Sequence, residues 1–311
     1  MTINQLHYLL AVAKLKNFSK AAMDCHVSQP ALSMQIKQLE DEMGVTIFDR
    51  SRNPLVITSI GQRILAQAKV ALYELEKIKD ISQEDEDESI GEIRLGIIPT
   101  LAPYLLPLFI KDYSQKYPKV KLNVRELTTD EIIKALENNE LDMALMATPL
   151  YHSELIETPI FYERMLAYVG SDSSLYNKEY VLAGEIDPKE LWLLEEGHCL
   201  RTQMLKLCEL KKQTLTENNF NFQAGSIETL IRLVDKYQGI TILPELATLD
   251  LRAEAKAKLR VFKAPVPTRE VSLVHHQYYP RKKLKETLEV SIRESLPQSL
   301  FEKEGHTLEI V

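Results

Sequence analysis

The amino-acid sequence predicts an α/β protein built from two differently patterned parts. Up to about residue 82, apolar residues recur mainly at helical spacing, interrupted by two short strand-like runs. Beyond an acidic run at 84–88, short apolar runs typical of buried strands alternate with amphipathic helical patterns. At 311 residues the chain is long enough for about two domains, each with a hydrophobic core of its own.

Composition and charge narrow the class of protein. Hydrophobic residues make up 45% and charged residues 27% of the chain, which excludes a wholly disordered protein. The low number of cysteines, three, indicates a reducing compartment. The sequence shows neither a signal-peptide pattern nor an apolar run long enough to span a membrane, so a cytoplasmic protein is expected. The net charge is −7, but residues 1–63 hold seven Lys and Arg against five Asp and Glu, leaving −9 for the remainder. This asymmetry favours a nucleic-acid partner for the N-terminal part.

The N-terminal pattern predicts a helix-turn-helix. An amphipathic helix is expected at 3–16, and Ser19 is the predicted N-cap of a short helix that ends near Cys25. Ser28, followed by a proline in the first turn, is a strong start for a helix that runs to about Met43. Its predicted buried stripe is Leu32, Ile36 and Leu39. Two short helices joined by a tight turn place the second helix in the major groove of DNA.

Residues 45–58 predict two short strands around a basic turn, which is typical of a β-wing. Glutamine and serine side chains on the second helix can bond base edges, whereas Lys37 and the wing arginines are suited to the DNA backbone or minor groove. The predicted DNA-binding residues are Ser28, Gln29, Pro30, Ser33, Lys37, Arg50 and Arg52. A helical cap whose exposed polar residues bind nothing is the alternative, and it leaves the agreement of these signals unexplained.

A long helix is predicted from Gly61 to about Ser82, followed by the acidic run as a solvated linker. Apolar residues spaced by four and three along this helix indicate a coiled-coil seam, hence dimerisation, with packing on its own domain as the alternative. The seam residues are Ile64, Ala68, Ala71, Leu75 and Ile78. The predicted domains are a winged helix-turn-helix domain at 1–59, a dimerisation helix with the acidic linker at 60–90, and an α/β domain at 91–311.

Strands and helices alternate in the predicted α/β domain. Strands are expected at 92–98, 120–127, 141–147, 165–170, 191–194 and 240–243, and helices at 104–117, 130–138, 227–237 and 281–295. Pro265 and Pro267 are interpreted as breaks in this pattern. The alternation predicts a parallel sheet covered by helices, with a ligand-sized cleft at the carboxyl ends of the strands.

The stretch 197–208 contains two of the three cysteines. Gly197 before an apolar-periodic run predicts that Cys199 opens a helix, with His198 and Arg201 near its thiol. In a continuous helix Cys208 would lie about 900° and roughly 13 Å further on, whereas a disulfide needs Cα atoms within about 7 Å. The thiols therefore either stay unpaired and inert, as buried cysteines commonly are, or pair only when the segment unwinds. No metal-ligand spacing is present, so no cofactor or metal is expected.

Several motifs together resemble LysR-type transcriptional regulators over nearly the whole chain. They are Phe18-Ser19-Lys20-Ala21-Ala22, Val27-Ser28-Gln29-Pro30-Ala31-Leu32-Ser33, Met43-Gly44-Val45 and Phe48-Asp49-Arg50. The segment Glu196-Gly197-His198-Cys199-Leu200-Arg201, with Cys208, is similar to the hydrogen peroxide-sensing branch of that family. The resemblance implies a two-lobed regulatory domain like a periplasmic binding protein, behind a winged helix-turn-helix and a long linker helix. It also implies a non-enzymatic activator of antioxidant-defence genes, a homotetramer of two dimers, and promoter DNA, hydrogen peroxide, RNA polymerase and a cellular thiol reductant as partners.

The resemblance also implies roles for particular residues. Cys199 would be the peroxidatic thiol and Cys208 its resolving partner in a reversible disulfide. Residues that would line the peroxide pocket are Thr100, Thr129, His198 and Arg269. Both threonines also suit helix capping, and Cys25 is expected to be a core thiol. The recognition helix argues against a thiol peroxidase, and the cysteine pair argues against a LysR-type regulator that senses a metabolite in the interlobe cleft with inert cysteines.

Overall fold

The computed structural model describes residues 1–51, 55–81, 90–208, 224–279, 281–300 and 308–310. The chain divides into two units, Met1–Asp87 and Glu88–Val311. Arg52 and the acidic run 84–88 lie outside the described residues, so what the sequence predicts for them stays a prediction. No helix in the described part of the chain is long and apolar enough to cross a membrane.

The first unit contains the predicted helices and wing. Its elements are α1 (Ile3–Leu15), α2 (Phe18–Asp24), α3 (Gln29–Met43), the paired strands β1 (Phe48–Asp49) and β2 (Val56–Ile57), and α4 (Ser59–Ile81). Ser28 caps α3 as predicted, because its hydroxyl accepts a hydrogen bond from the Ala31 amide. The predicted stripe is confirmed, since Leu32, Ile36 and Leu39 are fully buried. Gly44 ends α3 in a left-handed conformation, φ 67°, which glycine adopts without strain.

The N-cap of α2 is Asn17, so the prediction of Ser19 is wrong. Asn17 has extended backbone, and its side-chain oxygen accepts a hydrogen bond from the Lys20 amide at 3.0 Å. The helix begins earlier than the Ser19 signal suggests, and its first residue, Phe18, makes an edge contact with Phe48 of the wing at 5.8 Å between ring centroids.

The buried stripe of α4 differs from the predicted seam. Leu65, Ala68 and Leu72 are buried in the core of the first unit, where α4 contacts α1. Ala68 therefore faces its own domain, which corrects its assignment to a surface for a partner chain. Three other predicted seam residues, Ile64, Ala71 and Leu75, are half-buried at the margin of this core. Ile78, near the C-terminal end of α4, is exposed. Dimerisation through these residues stays a prediction.

The second unit is a mixed α/β structure. Its elements in chain order are β3 (Gly91–Ile97), α5 (Ala102–Lys116), β4 (Val120–Glu126), α6 (Thr129–Glu137), β5 (Met143–Thr148), β6 (Leu155–Val169), β7 (Tyr180–Val181), α7 (Cys199–Leu207), α8 (Ile227–Tyr237), β8 (Ile240–Pro244), α9 (Ala253–Lys256), β9 (Leu259–Phe262), β10 (Val266–His276), α10 (Lys282–Ser295) and β11 (Leu308–Ile310). The strand order is β4-β3-β5-β10-β6-β9-β7, with β8 beside β6 and β11 beside β10.

Two separate hydrophobic cores divide this unit into two lobes. The first lobe contains β3, β4 and β5 with α5, α6 and α10, and the second contains α7, α8 and β8. The long strand β6 passes from one core to the other, with Phe161 in the first and Met165 in the second. The described cores therefore agree with the two-lobed regulatory domain that the family resemblance implies.

The sheet is not wholly parallel, which corrects the prediction. β3 pairs in parallel with β4 and β5, but β10 is antiparallel to both β5 and β6. The sequence pattern missed β10 and the first ten residues of β6, and it predicted a strand at 191–194 where only isolated bridges form. The reason is that β6 and β10 bury charged residues against each other, so their hydropathy does not resemble that of a buried strand.

Candidate functional site

Cys199 is the first residue of α7, as predicted. Gly197 has φ 96°, a conformation that residues with side chains rarely adopt, and the extended residue His198 follows it as the N-cap. This turn places the Cys199 thiol at a helix N-terminus, where the helix dipole favours a negative charge. The Cys199 side chain packs on the core of the first lobe, while Leu200 and Met204 of α7 are buried in the core of the second.

The Cys199 side chain lines a cavity of about 780 Å³ between the two lobes. The wall is assembled from four segments that are distant in sequence: the start of α6, the link from β5 to β6, the first two turns of α7, and Glu270 of β10. A thiol at a helix N-terminus, partly buried yet open to a cavity, is suited to react with a small molecule that enters the cavity.

Thr129 and His198 place polar atoms without partners in this wall. Thr129 Oγ1 and His198 Nδ1 are buried and have no hydrogen-bond partner among the described residues. The N-cap of α6 is Thr128 and not Thr129. The Thr128 amide and hydroxyl donate to the Glu131 carboxylate at 2.9 and 2.8 Å. The other ring nitrogen of His198 lies 3.7 Å from Glu195 Oε1. A buried polar atom left unpaired costs about 1–3 kcal/mol, so a small hydrogen-bonding ligand that reached these two atoms would be stabilised by them.

Cys208 lies at the opposite end of α7 and on its opposite face. It is the C-cap residue, and its amide donates to the Met204 carbonyl at 3.1 Å, so the helix is continuous up to it. The thiol is buried in the core of the second lobe, whereas Cys199 packs on the first. Burial raises the pKa of Cys208 to about 11, so it is a neutral thiol near neutral pH. Both cysteines are free.

Thr100 and Arg269 are not among the residues that line this cavity, so their expected place in a peroxide pocket stays a prediction. Arg269 is fully buried, and its guanidinium donates to Glu163 Oε1 at 2.5 and 2.8 Å and to Thr100 Oγ1 at 2.9 Å. The second oxygen of Glu163 accepts the Leu246 amide at 3.0 Å. Successive residues of a strand point to opposite faces, so Arg269 enters this network while its neighbour Glu270 faces the cavity.

Sequence reasoning missed the polar residues that β5 and β10 contribute to the cavity wall. Thr148 Oγ1 donates to Glu270 Oε1 at 2.6 Å and lies 2.6 Å from Ser272 Oγ. Lys206, two turns into α7, also lines the cavity. The spacing of Glu270 and Ser272 could have located these polar residues. The two lie two residues apart, so they share one face of a strand, but the sequence pattern did not predict β10.

Two further residues that the sequence analysis named, Arg201 and Cys25, do not line the cavity. Arg201 was expected to lie near the Cys199 thiol, but its guanidinium donates to the Leu194 carbonyl at 2.6 Å and it does not line the cavity. Cys25 is half-buried at the core of the first unit, as expected. Burial, assisted by the charge of Asp24, raises the pKa of Cys25, so its reactive thiolate form is disfavoured.

The first unit exposes the predicted recognition face. Ser28, Gln29, Pro30 and Lys37 are exposed on or next to α3, and Ser33 is half-buried. Exposure leaves the first four side chains free to reach base edges and phosphates. The Ser33 hydroxyl accepts a hydrogen bond from Arg50 at 3.1 Å.

Arg50 is more constrained than the sequence suggests. Its guanidinium bonds the Glu40 carboxylate at 3.0 Å and Ser33 Oγ at 3.1 Å, and it lies over the Phe18 ring at 4.8 Å. Glu40 also accepts the amides of Ile47 and Phe48, so this carboxylate fixes the wing to α3. Sequence reasoning missed Glu40, because a glutamate next to a buried leucine usually faces solvent.

Family models match both units of the chain. Residues 3–62 match the bacterial regulatory helix-turn-helix protein model of the LysR family, and residues 86–295 match the LysR substrate-binding domain. The chain therefore belongs to the LysR family of bacterial regulatory proteins.

Within that family, similar relatives are named hydrogen peroxide-inducible genes activator or OxyR. The hydrogen peroxide-inducible genes activator of Dickeya chrysanthemi is 35% identical over 95% of this chain and 96% of its own length. The DNA-binding transcriptional dual regulator OxyR of Escherichia coli K12 is 34% identical, covering 94% of this chain and 95% of its own. Among solved structures, full-length OxyR from Pseudomonas aeruginosa, a cysteine-to-aspartate variant, is similar with TM-score 0.77, 32% identity and coverage of 95% and 99%. A cysteine mutant of Corynebacterium glutamicum OxyR with hydrogen peroxide bound has TM-score 0.64 and 25% identity, covering 96% and 94%.

Proposed function

We propose that this chain is a hydrogen peroxide-sensing transcriptional regulator that controls antioxidant-defence genes through a reversible Cys199–Cys208 disulfide. The observation that supports this most directly is the Cys199 thiol, which opens onto a cavity beside Thr129 Oγ1 and His198 Nδ1, two buried atoms without partners. Hydrogen peroxide both donates and accepts hydrogen bonds, so it can pair with these two atoms while one of its oxygens faces the sulfur.

The first step is oxidation of Cys199. The thiolate sulfur attacks one peroxide oxygen, the O–O bond breaks, and the departing hydroxide takes up the proton lost by the thiol and leaves as water. The product is a sulfenic acid on Cys199. Cys208 does not compete for peroxide, because burial holds its pKa at about 11 and the reactive form is the thiolate.

The second step needs α7 to unwind. In the intact helix the Cα atoms of Cys199 and Cys208 are separated by a rise of about 13 Å, beyond the limit of about 7 Å for a disulfide. Leu200 and Met204 are fully buried and must leave the core of the second lobe when the helix opens. Cys208 sulfur then attacks the sulfenic sulfur, the S–O bond breaks, and water leaves. The lost packing disfavours the disulfide, which keeps it reducible by cellular thiols.

The readout of the switch is a change in DNA binding. Residues on the outer face of α3 would contact promoter DNA, with exposed Gln29 and half-buried Ser33 at base edges and exposed Lys37 at a phosphate. Re-docking of regulatory domains in a homotetramer would alter the spacing of the DNA-binding units. RNA polymerase and a thiol reductant would be the further partners, in the cytoplasm, and the chain would act as a stoichiometric switch rather than as an enzyme.

Thiol mapping and DNA binding, measured on the same samples, test this function. Brief peroxide treatment should oxidise Cys199 first, link it to Cys208 and change the DNA footprint. Cys199→Ser should abolish the response, Cys208→Ser should leave a sulfenic acid that is not trapped, and the control Cys25→Ser should respond normally. Oxidation of Cys25 while Cys199 stays free would refute the mechanism. An unchanged footprint together with binding of a non-oxidising metabolite would instead favour metabolite sensing in this cavity.

A further inference from the structure

The guanidinium of Arg50 is held in place by three side chains of the first unit. It donates to Ser33 Oγ at 3.1 Å and to Glu40 Oε2 at 3.0 Å, and it lies over the Phe18 ring at 4.8 Å from the centroid. Glu40 is itself fixed, because it is buried and its other oxygen accepts two backbone amides of the segment that leads into the wing. Arg50 therefore has a defined position before any DNA is bound.

The charge of Arg50 is balanced within the protein. Its ion pair with Glu40 carries no net charge, whereas Lys37 is exposed on the same helix as Glu40. Sequence-independent affinity for DNA comes from cations that neutralise phosphates and release their counterions. Lys37 suits that task, and an arginine already neutralised by a buried carboxylate contributes little to it. The contact that Arg50 makes with Ser33 is the one that bears on recognition.

The bond from Arg50 determines how the Ser33 hydroxyl is used. A serine within a helix commonly turns its hydroxyl back to the carbonyl four residues earlier, as Ser114 does to the Ile110 carbonyl at 2.7 Å. At Ser33 the side-chain hydrogen bond found among the described residues is the one that its oxygen accepts from Arg50. The hydroxyl hydrogen is therefore left for a ligand. Accepting a bond from a cationic donor also polarises the hydroxyl and makes it a stronger donor.

We propose that Arg50 is a positioning residue for DNA recognition, which fixes Ser33 as a hydrogen-bond donor to an acceptor atom on the major-groove edge of a base. This inference rests on the proposed function, because it requires α3 to enter the major groove. The acceptor would be N7 or O6 of guanine, N7 of adenine or O4 of thymine, whereas the amino group of cytosine offers only a donor. Ser33 lies four residues after Gln29 on α3, so the base that it reads adjoins the one read by Gln29.

The test maps sequence preference with the reduced full-length protein. A preferred site is selected from a randomised duplex library, and each of its positions is then varied in turn. Ser33→Ala should lower the preference at one position of each half-site by roughly two- to tenfold, the range for one hydrogen bond. Arg50→Met removes the donors and keeps an apolar side chain against Phe18, and it should lower the preference at the same position. The double variant should lose no more than either single variant, because both remove one interaction.

Base analogues identify the acceptor atom. Where the position read by Ser33 holds a purine, its 7-deaza analogue lacks N7. Where that purine is guanine, 6-thioguanine replaces O6 by a poorer acceptor, and where the base is thymine, 4-thiothymine does the same for O4. One of these replacements should weaken wild-type binding by the same factor as Ser33→Ala and should leave the binding of Ser33→Ala unchanged. An equal loss in both proteins would assign that acceptor to another residue and would overturn the inference.

Salt dependence separates positioning from a phosphate contact. Arg50→Met should leave the affinity for random DNA and its salt dependence unchanged, whereas the matched variant Lys37→Met should reduce the slope of log affinity against log salt concentration by about one. Glu40→Gln is the second variant should Arg50→Met not fold. Its amide oxygen can still accept the two backbone amides, its amino group then faces the guanidinium, and the preference should fall at the same position.

Two results would overturn the inference while leaving a DNA-binding regulator intact. One is a slope lowered by about one in Arg50→Met, which would make this arginine a phosphate contact. The other is a loss of preference in Arg50→Met at positions that Ser33→Ala does not affect. If the wild-type protein binds selected and random DNA equally well, the proposed function is wrong, and this inference with it.

Discussion

Replacing Leu200 by alanine should make the Cys199–Cys208 disulfide harder to reduce. Leu200 is fully buried in the core of the second lobe while α7 is intact, and it must leave that core when the disulfide closes. Truncating a buried leucine to alanine costs about 2–5 kcal/mol, and here the cost falls on the reduced state only. For a two-electron couple about 1.4 kcal/mol corresponds to 30 mV, so the potential should become more negative by about 40–110 mV.

The assay is equilibration of the protein with thiol redox buffers of graded potential, with the disulfide fraction read by alkylation and mass spectrometry. Leu230→Ala is the matched control, because Leu230 is a fully buried leucine of the same core but lies on α8. It should lower the free energy of unfolding to a similar extent without moving the potential by more than about 15 mV. An equal shift in both variants, or none in Leu200→Ala, would refute the claim that α7 must leave its core.

Five further outcomes follow from particular residues. Burial raises the pKa of Cys208 to about 11 from 9.0, so the stability that the neutral thiol contributes is present below pH 9 and is lost as the pH rises through 11. Iodoacetamide labelling of Cys208 in the reduced native protein should rise over the same interval. Efficient labelling at pH 8 would contradict the burial of this thiol. Burial lowers the pKa of His275 below 6.5, so the free energy of unfolding should fall as the pH drops below 6.5, and His275→Gln should flatten that dependence in urea titrations; an unchanged slope would exclude this histidine. Leu75→Glu should weaken oligomerisation and DNA binding together, as measured by sedimentation and footprinting, whereas a normal oligomer would limit the α4 stripe to packing within one chain. Lys37→Ala should weaken binding to all DNA sequences and reduce the slope of log affinity against log salt concentration by about one. Gln29→Ala should change the preference among DNA sequences. Equal losses of affinity on operator and random DNA would refute base reading by Gln29.

The helix-turn-helix and the start of α7 could be predicted from sequence because their signals are local. The Ser28 cap with proline in the first turn, and Gly197 before an apolar-periodic run, each lie within a few residues of the feature they specify. The position of Cys199 on the helix, and its opposition to Cys208, follow from helical geometry alone. Even Asn17, the cap that was missed, lies within two residues of the predicted one.

The cavity and the buried charge network could not be predicted in the same way, because they depend on contacts between distant residues. Glu163 and Arg269 are separated by more than one hundred positions, and neither has a local signal that it is paired and fully buried. In the sequence both look like solvent-exposed residues. For this reason the hydropathy pattern did not predict β10 or the part of β6 that contains Glu163. Without β10, the opposite orientations of Arg269 and Glu270, and hence the composition of the cavity wall, could not be derived.

Amide hydrogen exchange of α7 in the reduced and disulfide-linked protein tests the central claim most directly. In the reduced protein the amide of Cys208 and those of the turn before it are bonded within the helix, so they should exchange slowly. We expect peptides covering 203–208 to lose most of that protection once Cys199 and Cys208 are joined, while peptides from α8 in the same lobe stay protected. Full protection of 203–208 in a protein whose disulfide is shown to be formed would contradict the account.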